Sequence, residues 1–330
     1  MRTNARILKL LVASAAMTLI FQGASAQTGS PQGTQGAKRK NTGVGVDNPS
    51  SRNMSEVDKT IKAAADALNM ARWSGVGGGR LPEVDVVNRM EIWGAGTSSV
   101  FGQANASGAT RPSFKTEYHV ALGYNPPAMR VEITRSNPEG SAQTAGASRA
   151  APQHTIETVR DTYAWNESEL GAGLEPGRGV ATPAMSEVDQ RLLQLWILPW
   201  GVVKAAFAAG DKTKLSTENG ARVLTFPLSG PLAGVTLKAT LDAKNFITKV
   251  EAHSDNPKLA GMITEADYSD YADHGEILTD LESPGRIVEK QGGTTVLDIQ
   301  VKMADLNNPY LVFPVPDTVK KASAELIQKR

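Results

Sequence analysis

Alternation of apolar and polar residues with a period of two is the feature that most restricts how this chain can fold. It runs through residues 114–122, 129–134, 235–242 and 297–303, and the first two stretches flank the turn sequence Tyr-Asn-Pro-Pro at 124–127. Successive side chains of a β-strand point to opposite faces of a sheet, so each stretch predicts a strand with one apolar face. Such strands are typical of antiparallel sheets, whose apolar face must be covered by other elements.

Two apolar helical segments are the candidates for this cover. The first begins at Ser55, which is followed three residues later by an acid as in a helix N-cap, and continues at helical spacing to Ala71. The second spans about 186–209 and begins with the same Ser-Glu-Val-Asp sequence. Pro199 must interrupt it, because proline has no amide hydrogen and its ring clashes with the preceding turn. We therefore predict an α+β fold, in which a strongly curved antiparallel sheet, an incomplete β-barrel, has helices that cover or plug its concave face.

The first 26 residues have the features of a cleaved export signal. Arg2, Arg6 and Lys9 precede a short apolar run, and the sequence Ala-Ser-Ala at 24–26 matches a small-x-small cleavage site. The apolar run is too short to be a stable membrane anchor. We expect a signal peptide at 1–26 and a periplasmic protein, with secretion as the alternative localisation and an uncleaved anchor as the alternative to cleavage.

Composition divides the remaining chain in two and excludes several kinds of site. Residues 27–53 are rich in Gly, Ser, Thr, Gln and Asn, which cannot bury a core, and they are typical of a flexible low-complexity leader. Residues 54–330 then form one domain. A net charge of +1 gives no electrostatic argument for a nucleic acid or an anionic membrane surface as partner. The absence of cysteine excludes disulfides, thiolate metal sites and a cysteine nucleophile.

Motifs for metal binding or catalysis are weak in this sequence. The histidines are scattered without the spacing of metal ligands: His119, His154, His253 and His274. The densest acidic cluster surrounds Asp270, but its spacing of three residues does not match the alternate oxygens of a calcium loop. Neither a Gly-x-Ser-x-Gly nor a Ser-x-x-Lys motif is present. We expect no metal, no cofactor and no catalytic residue.

The last part of the chain combines several features in a fixed order. An acidic and aromatic strand is followed by a Gly, a Pro, a Gly hairpin, an alternating strand, an Asn turn and a Phe-Pro tail: Tyr268 to Tyr271, Gly275, Pro284, Gly292-Gly293, Leu297 to Met303, Asn307 and Phe313-Pro314. With the early helix, the long run of strands and the helical insertion, this resembles the LolA-like/LolB-like superfamily of periplasmic lipoprotein carriers over roughly 55–317. The resemblance implies a half-barrel with a helical lid and an apolar cavity that can hold acyl chains.

The concave face and the helical insertion then supply the candidate ligand-binding residues. The candidates on the sheet are Met129, Val131, Leu237, Ile299 and Met303, and those on the lid are Trp196, Trp200 and Phe207. Trp196 and Trp200 lie four residues apart across the Pro199 break, which places an aromatic face beside a hinge. Gly201 and Gly210 would allow the second helix to move.

These interpretations predict an exported, non-enzymatic monomer that binds a lipid or an acylated protein, with envelope proteins as further partners. One alternative is an envelope scaffold or interaction module whose cavity is filled by its own side chains. A second alternative is a hydrolase that uses the acidic cluster around Asp270.

Overall fold

The computed structural model describes residues 54–70, 87–99, 113–137, 152–254, 259, 265–275 and 281–328. These residues belong to one compact unit, Asn48–Arg330. The predicted signal peptide at 1–26 and leader at 27–53 lie outside the described residues.

Four helices lie in the described part of the chain: α1 (Glu56–Ala67), α2 (Val188–Ile197), α3 (Pro199–Ala209) and α4 (Asp317–Gln328). The start of α1 confirms the predicted cap, because Ser55 Oγ accepts a hydrogen bond from the Asp58 amide at 3.1 Å. The same prediction is wrong for Ser186. That residue lies inside a 3-10 turn, Met185–Glu187, that leads into α2, so its hydroxyl bonds to Glu187 at 3.3 Å and no side chain caps α2.

The strands are β1 (Arg89–Ser98), β2 (Phe114–Tyr124), β3 (Pro127–Ser136), β4 (Gln153–Arg160), β5 (Tyr163–Glu167), β6 (Ala181–Pro183), β7 (Lys214–Glu218), β8 (Ala221–Pro227), β9 (Val235–Leu241), β10 (Ile247–Ser254), β11 (Glu265–Ser269), β12 (Ala272–Asp273), β13 (Glu282–Ser283), β14 (Arg286–Gln291) and β15 (Thr294–Leu306). Within the described residues, thirteen of them form one antiparallel sheet, and β12 pairs with β13 separately. The predicted α+β class and large antiparallel sheet are therefore confirmed.

The sheet consists of two meanders joined at its centre. Its order is β6-β5-β4-β3-β2-β1-β15-β14-β11-β10-β9-β8-β7. Neighbouring strands in each half follow each other along the chain, except that β12 and β13 lie between β11 and β14. β1 pairs with β15 and thereby joins the two meanders, with Met90 opposite Leu306. The two outermost strands are β6, which contacts α4, and β7.

The break between α2 and α3 agrees with the prediction from Pro199. Leu198 has an extended backbone (φ −60°, ψ 146°), Pro199 occupies the first turn of α3, and the helical segments on either side are inclined by 96°. Gly201 allows this close approach, since a Cβ there would lie 2.6 Å from the Leu195 carbonyl oxygen. Gly201 is therefore needed for tight packing at the bend.

No single helix in the described residues is long and apolar enough to cross a membrane. The bent pair around Pro199 passes the same criteria of length and composition only when its two arms are taken together. Most residues of α2 and α3 are buried against the rest of the protein.

The core lies between one face of the sheet and helices α1, α2 and α3. Leu297, Ile299 and Val301 of β15 point into it, as their alternation predicts. A register shift then follows, so that Met303 lies opposite Trp93. Trp93 stacks on the His119 ring on the other face of the sheet, with centroids 4.7 Å apart. The prediction that Met303 shares the face of Ile299 is therefore wrong, because the bulge reverses the phase of the alternation.

Candidate functional site

A cavity of about 520 Å³ opens where the helix pair meets one end of the sheet. One wall comes from α2, α3 and the turn after α3, a second from the β2–β3 and β4–β5 turns, and a third from the β8–β9 loop. The lining residues are Pro127, Asp161, Thr162, Leu192, Trp196, Ala205, Ala208, Ala209, Lys212, Pro227, Leu228, Ser229, Gly230, Pro231 and Leu232. Its size lies in the range of small-molecule sites, about 300–1,000 Å³.

Burial divides this lining into two zones of different chemistry. The inner zone, which we name the floor, is apolar and buried, and consists of Leu192, Ala205, Leu228 and Leu232. The outer zone, which we name the rim, consists of the exposed polar residues Thr162, Lys212 and Ser229. The arrangement can take up an apolar group while a polar end of the same molecule stays in water.

Trp196 is the predicted ligand-binding residue that lines the cavity. Its ring packs against that of Tyr124, the last residue of β2. The two ring centroids lie 5.6 Å apart in a tilted arrangement. The Lys204 ammonium lies 5.2 Å from the centre of the Tyr124 ring and fixes that ring from the α3 side. The contact from β2, supported by Lys204 of α3, thus sets the orientation of the Trp196 indole at the cavity wall.

The other predicted residues lie elsewhere. Five of them are buried in the core and lie outside the cavity lining: Met129, Val131, Trp200, Leu237 and Ile299. Phe207 is 38% exposed on α3 and also lies outside the lining, while Met303 lies on the opposite face of the sheet. The sequence pattern located the core correctly. It did not distinguish residues that pack against the helices from residues that line the cavity.

Arg191 anchors α2 to the wall of the sheet next to the cavity. Its guanidinium donates hydrogen bonds to the carbonyl oxygens of Thr158 (3.0 Å) and Trp165 (2.8 Å) and to Asn166 Oδ1 (2.6 Å). The Arg191 side chain is 7% exposed, and this burial lowers the guanidinium pKa. Since three acceptors are satisfied by one side chain, α2 is fixed in register against β4 and β5.

Tyr268 fixes the other end of α2. Its hydroxyl donates a hydrogen bond of 2.9 Å to the carbonyl oxygen of Ile197, the last residue of the helix. That carbonyl lies just before Pro199 and cannot be satisfied by a continuing helix. Burial and the nearby Glu289 carboxyl raise the Tyr268 pKa well above its ordinary value, so the hydroxyl stays a donor.

Glu289 is the residue that sequence reasoning missed. It lies on the core-facing side of β14, 3% exposed, between the cross-strand partners Leu297 and Ala266. Burial raises its pKa from 4.5 to about 7, against the opposing effect of a hydrogen bond with Gln194 of α2. Its Oε2 has no hydrogen-bond partner within the described residues. The sequence does contain a signal for this residue. Glu289 lies two positions after Ile287 in the strand Arg286–Gln291, so the alternation places it on the same face as that apolar residue.

The acidic cluster around Asp270 has structural contacts. The Asp270 carbonyl oxygen accepts a hydrogen bond from the Gly285 amide at 3.0 Å, and its carboxylate accepts one from the Ser269 hydroxyl at 2.9 Å. Asp273 accepts one from the Gly275 amide at 2.9 Å. The described residues contain no group of three or more potential ligands that could hold a metal ion.

Comparison with protein-family models gives no match, and a search of curated proteins also gives none.

Proposed function

We propose that this protein is an exported, non-enzymatic carrier that binds a long apolar group in the cavity beside Trp196. The open cavity of about 520 Å³ with a buried apolar floor is the observation that supports this function. A lipid or the acyl chain of a modified protein has the required shape and apolarity. Export to the periplasm rests on the signal-like residues 1–26, and envelope proteins are the proposed donors and acceptors for a monomeric carrier.

The proposed architecture is an incomplete β-barrel around the helix pair. β3 and β9 are seven strand spacings apart in the sheet order, which amounts to roughly 34 Å in a flat sheet at about 4.8 Å per spacing. Pro127 at the start of β3 and Leu232 before β9 nevertheless line one cavity. Helix α2 also contacts both β3 and β10. A sheet bent strongly around the helices accounts for both observations.

This architecture supports the relationship to LolA-like carriers proposed from the sequence pattern. That relationship rests on the pattern of elements and on the curved sheet with helices inside it. The proposed architecture differs from the expectation in one respect. The helix pair fills most of the concave face, and the proposed ligand space lies at the edge of that face, beside Trp196.

Burial of apolar surface supplies enough free energy for such binding. Each methylene group removed from water contributes about 0.8 kcal/mol, so about eight of them contribute roughly 6 kcal/mol before the cost of ordering the chain. The floor is already formed in the structure, and a preformed site reduces that cost.

Ala208→Phe tests the proposal by filling the cavity from its exposed side. Ala208 lines the cavity and is itself exposed, so a larger side chain there can enter the cavity with little effect on the core. We expect at least about tenfold weaker binding of a fluorescent fatty acid, a loss of about 1.4 kcal/mol. Thermal unfolding should remain close to that of the wild type.

Phe207→Ala is the matched control. Phe207 is the neighbouring residue on α3, but it lies outside the lining, so its truncation should leave the affinity unchanged. Equal affinity of the wild type and a folded Ala208→Phe variant would show that the cavity is not the binding site.

A scaffold or interaction module is the second candidate function. It is favoured by the five predicted ligand residues that are packed in the core, since they leave little of the concave face free. In that case the delipidated wild-type protein shows no saturable binding of fatty acid at any concentration below aggregation.

A further inference from the structure

We propose that the cavity selects a free single-chain carboxylate, with its hydrocarbon chain on the floor and its head group paired with the Lys212 ammonium at the rim. This inference rests on the proposed function and specifies its ligand. It is supported by the distribution of charge around the cavity and by the position of the polar residues relative to the floor.

Among the described residues, two charged side chains line the cavity, Asp161 and Lys212, and their environments differ. Asp161 already has a cationic partner, because the Arg160 guanidinium lies 3.7 Å from its Oδ2. Lys212 is exposed, and the ion pairs among the described residues include none with Lys212. The neighbouring Asp211 lies outside the lining. Within the described lining, Lys212 is therefore the charged side chain without an ion-pair partner, and its ammonium is available to a ligand.

The position of Lys212 suits the head group of an amphiphile. It ends the short 3-10 turn Gly210–Lys212 that follows α3, whose residues Ala205 and Ala208 line the same cavity. The exposed Thr162 and Ser229 provide hydroxyl groups at the same rim. A carboxylate at the rim would accept hydrogen bonds from these donors while its chain lies on the apolar floor.

Ligands with one chain and different head groups test this assignment. Dodecanoate, dodecanol and dodecylammonium share the hydrocarbon part, so differences between their affinities report the head group. We expect dodecanoate to bind about two- to fivefold more tightly than dodecanol, the range for an exposed charge pair, and dodecylammonium to bind most weakly. Added salt should reduce the difference, since exposed charges are screened within about 10 Å at 0.1 M ionic strength.

Lys212→Gln should make dodecanoate and dodecanol equal, and Lys212→Glu should reverse the order in favour of dodecylammonium. Lys214→Gln is the matched control, because Lys214 is an exposed lysine two residues further along that lies outside the lining. It should retain the preference of the wild type.

The outcomes distinguish the two proposals. If all three ligands bind the wild type equally, or the preference survives in Lys212→Gln, the head-group assignment is wrong and the apolar cavity remains supported. If none of the ligands binds the folded wild type, the carrier function itself is wrong.

Discussion

Glu289→Gln should stabilise the protein in a manner that depends on pH. Glu289 is a carboxylic acid buried in the core beneath α2. The substitution keeps its size and replaces the carboxyl group with an amide that can also pair with Gln194. The variant removes the negative charge of the ionised form, which burial penalises. It therefore separates the cost of that charge from the packing of the side chain.

The size of the effect follows from the pKa of Glu289. A rise from 4.5 in the unfolded chain to about 7 in the folded protein corresponds to about 3 kcal/mol, at about 1.4 kcal/mol for each tenfold change in proton affinity. Because the folded pKa is raised, the folded state holds more protons between these two values. The free energy of unfolding therefore falls as pH rises from 4.5 to about 7 and then levels off.

Urea unfolding of wild type and variant over a series of pH values measures this effect. The two proteins should have similar stability near pH 4.5, where Glu289 is largely protonated in the folded state. The variant should be more stable by about 3 kcal/mol above pH 7. The difference between the two curves isolates Glu289 from all other titrating groups.

Glu117→Gln provides the control, since Glu117 is an exposed carboxylate on β2 of the same sheet. Its curve should run parallel to that of the wild type. A difference between wild type and Glu289→Gln that stays constant over the whole pH range would refute the assignment of a buried ionisable acid beneath α2.

Three further predictions concern the packing of the fold, and each is checked by chemical denaturation. Trp200→Ala should destabilise the protein by about 3–5 kcal/mol because the side chain is fully buried, whereas Phe207→Ala should cost less than about 1 kcal/mol. Arg191→Ala should cost about 3 kcal/mol or more, because it removes the hydrogen bonds that Arg191 donates to two buried carbonyl groups. A loss below about 1 kcal/mol would contradict the anchoring of α2. Gly96→Ala should cost about 2–3 kcal/mol or more, since its Cβ would lie 1.9 Å from a backbone oxygen of β15, while Gly123→Ala, with its nearest contact at 3.6 Å, should be nearly neutral.

Local patterns in the sequence predicted the elements well. The period-two stretches became strands, Ser55 caps α1, and Pro199 separates α2 from α3, because each depends on a few neighbouring residues. Ser186 shows the limit of such a pattern. The same tetrapeptide begins with a cap in one place, whereas in the other its first two residues lie in a 3-10 turn that already starts at Met185.

The positions of the site residues depend on contacts between distant parts of the chain. Met303 lies on the face opposite to the predicted one because of a bulge in the pairing of β15 with β1. No pattern within β15 itself reveals this bulge. Trp196 and Trp200 are close in sequence, but the bend of 96° between their helices places one at the cavity wall and the other in the core. Glu289 could have been found, since an acid in the apolar phase of a strand is a visible exception.

The pairing of β1 with β15 has a consequence for synthesis and folding. It closes a loop from Met90 to Leu306, so the two meanders are made one after the other and stay separate until the ribosome has produced the last strand. Contacts between residues so far apart in sequence form slowly, because closing a long loop costs entropy before the strands gain their hydrogen bonds. We therefore expect the complete sheet to form only after nearly the whole chain has been translated.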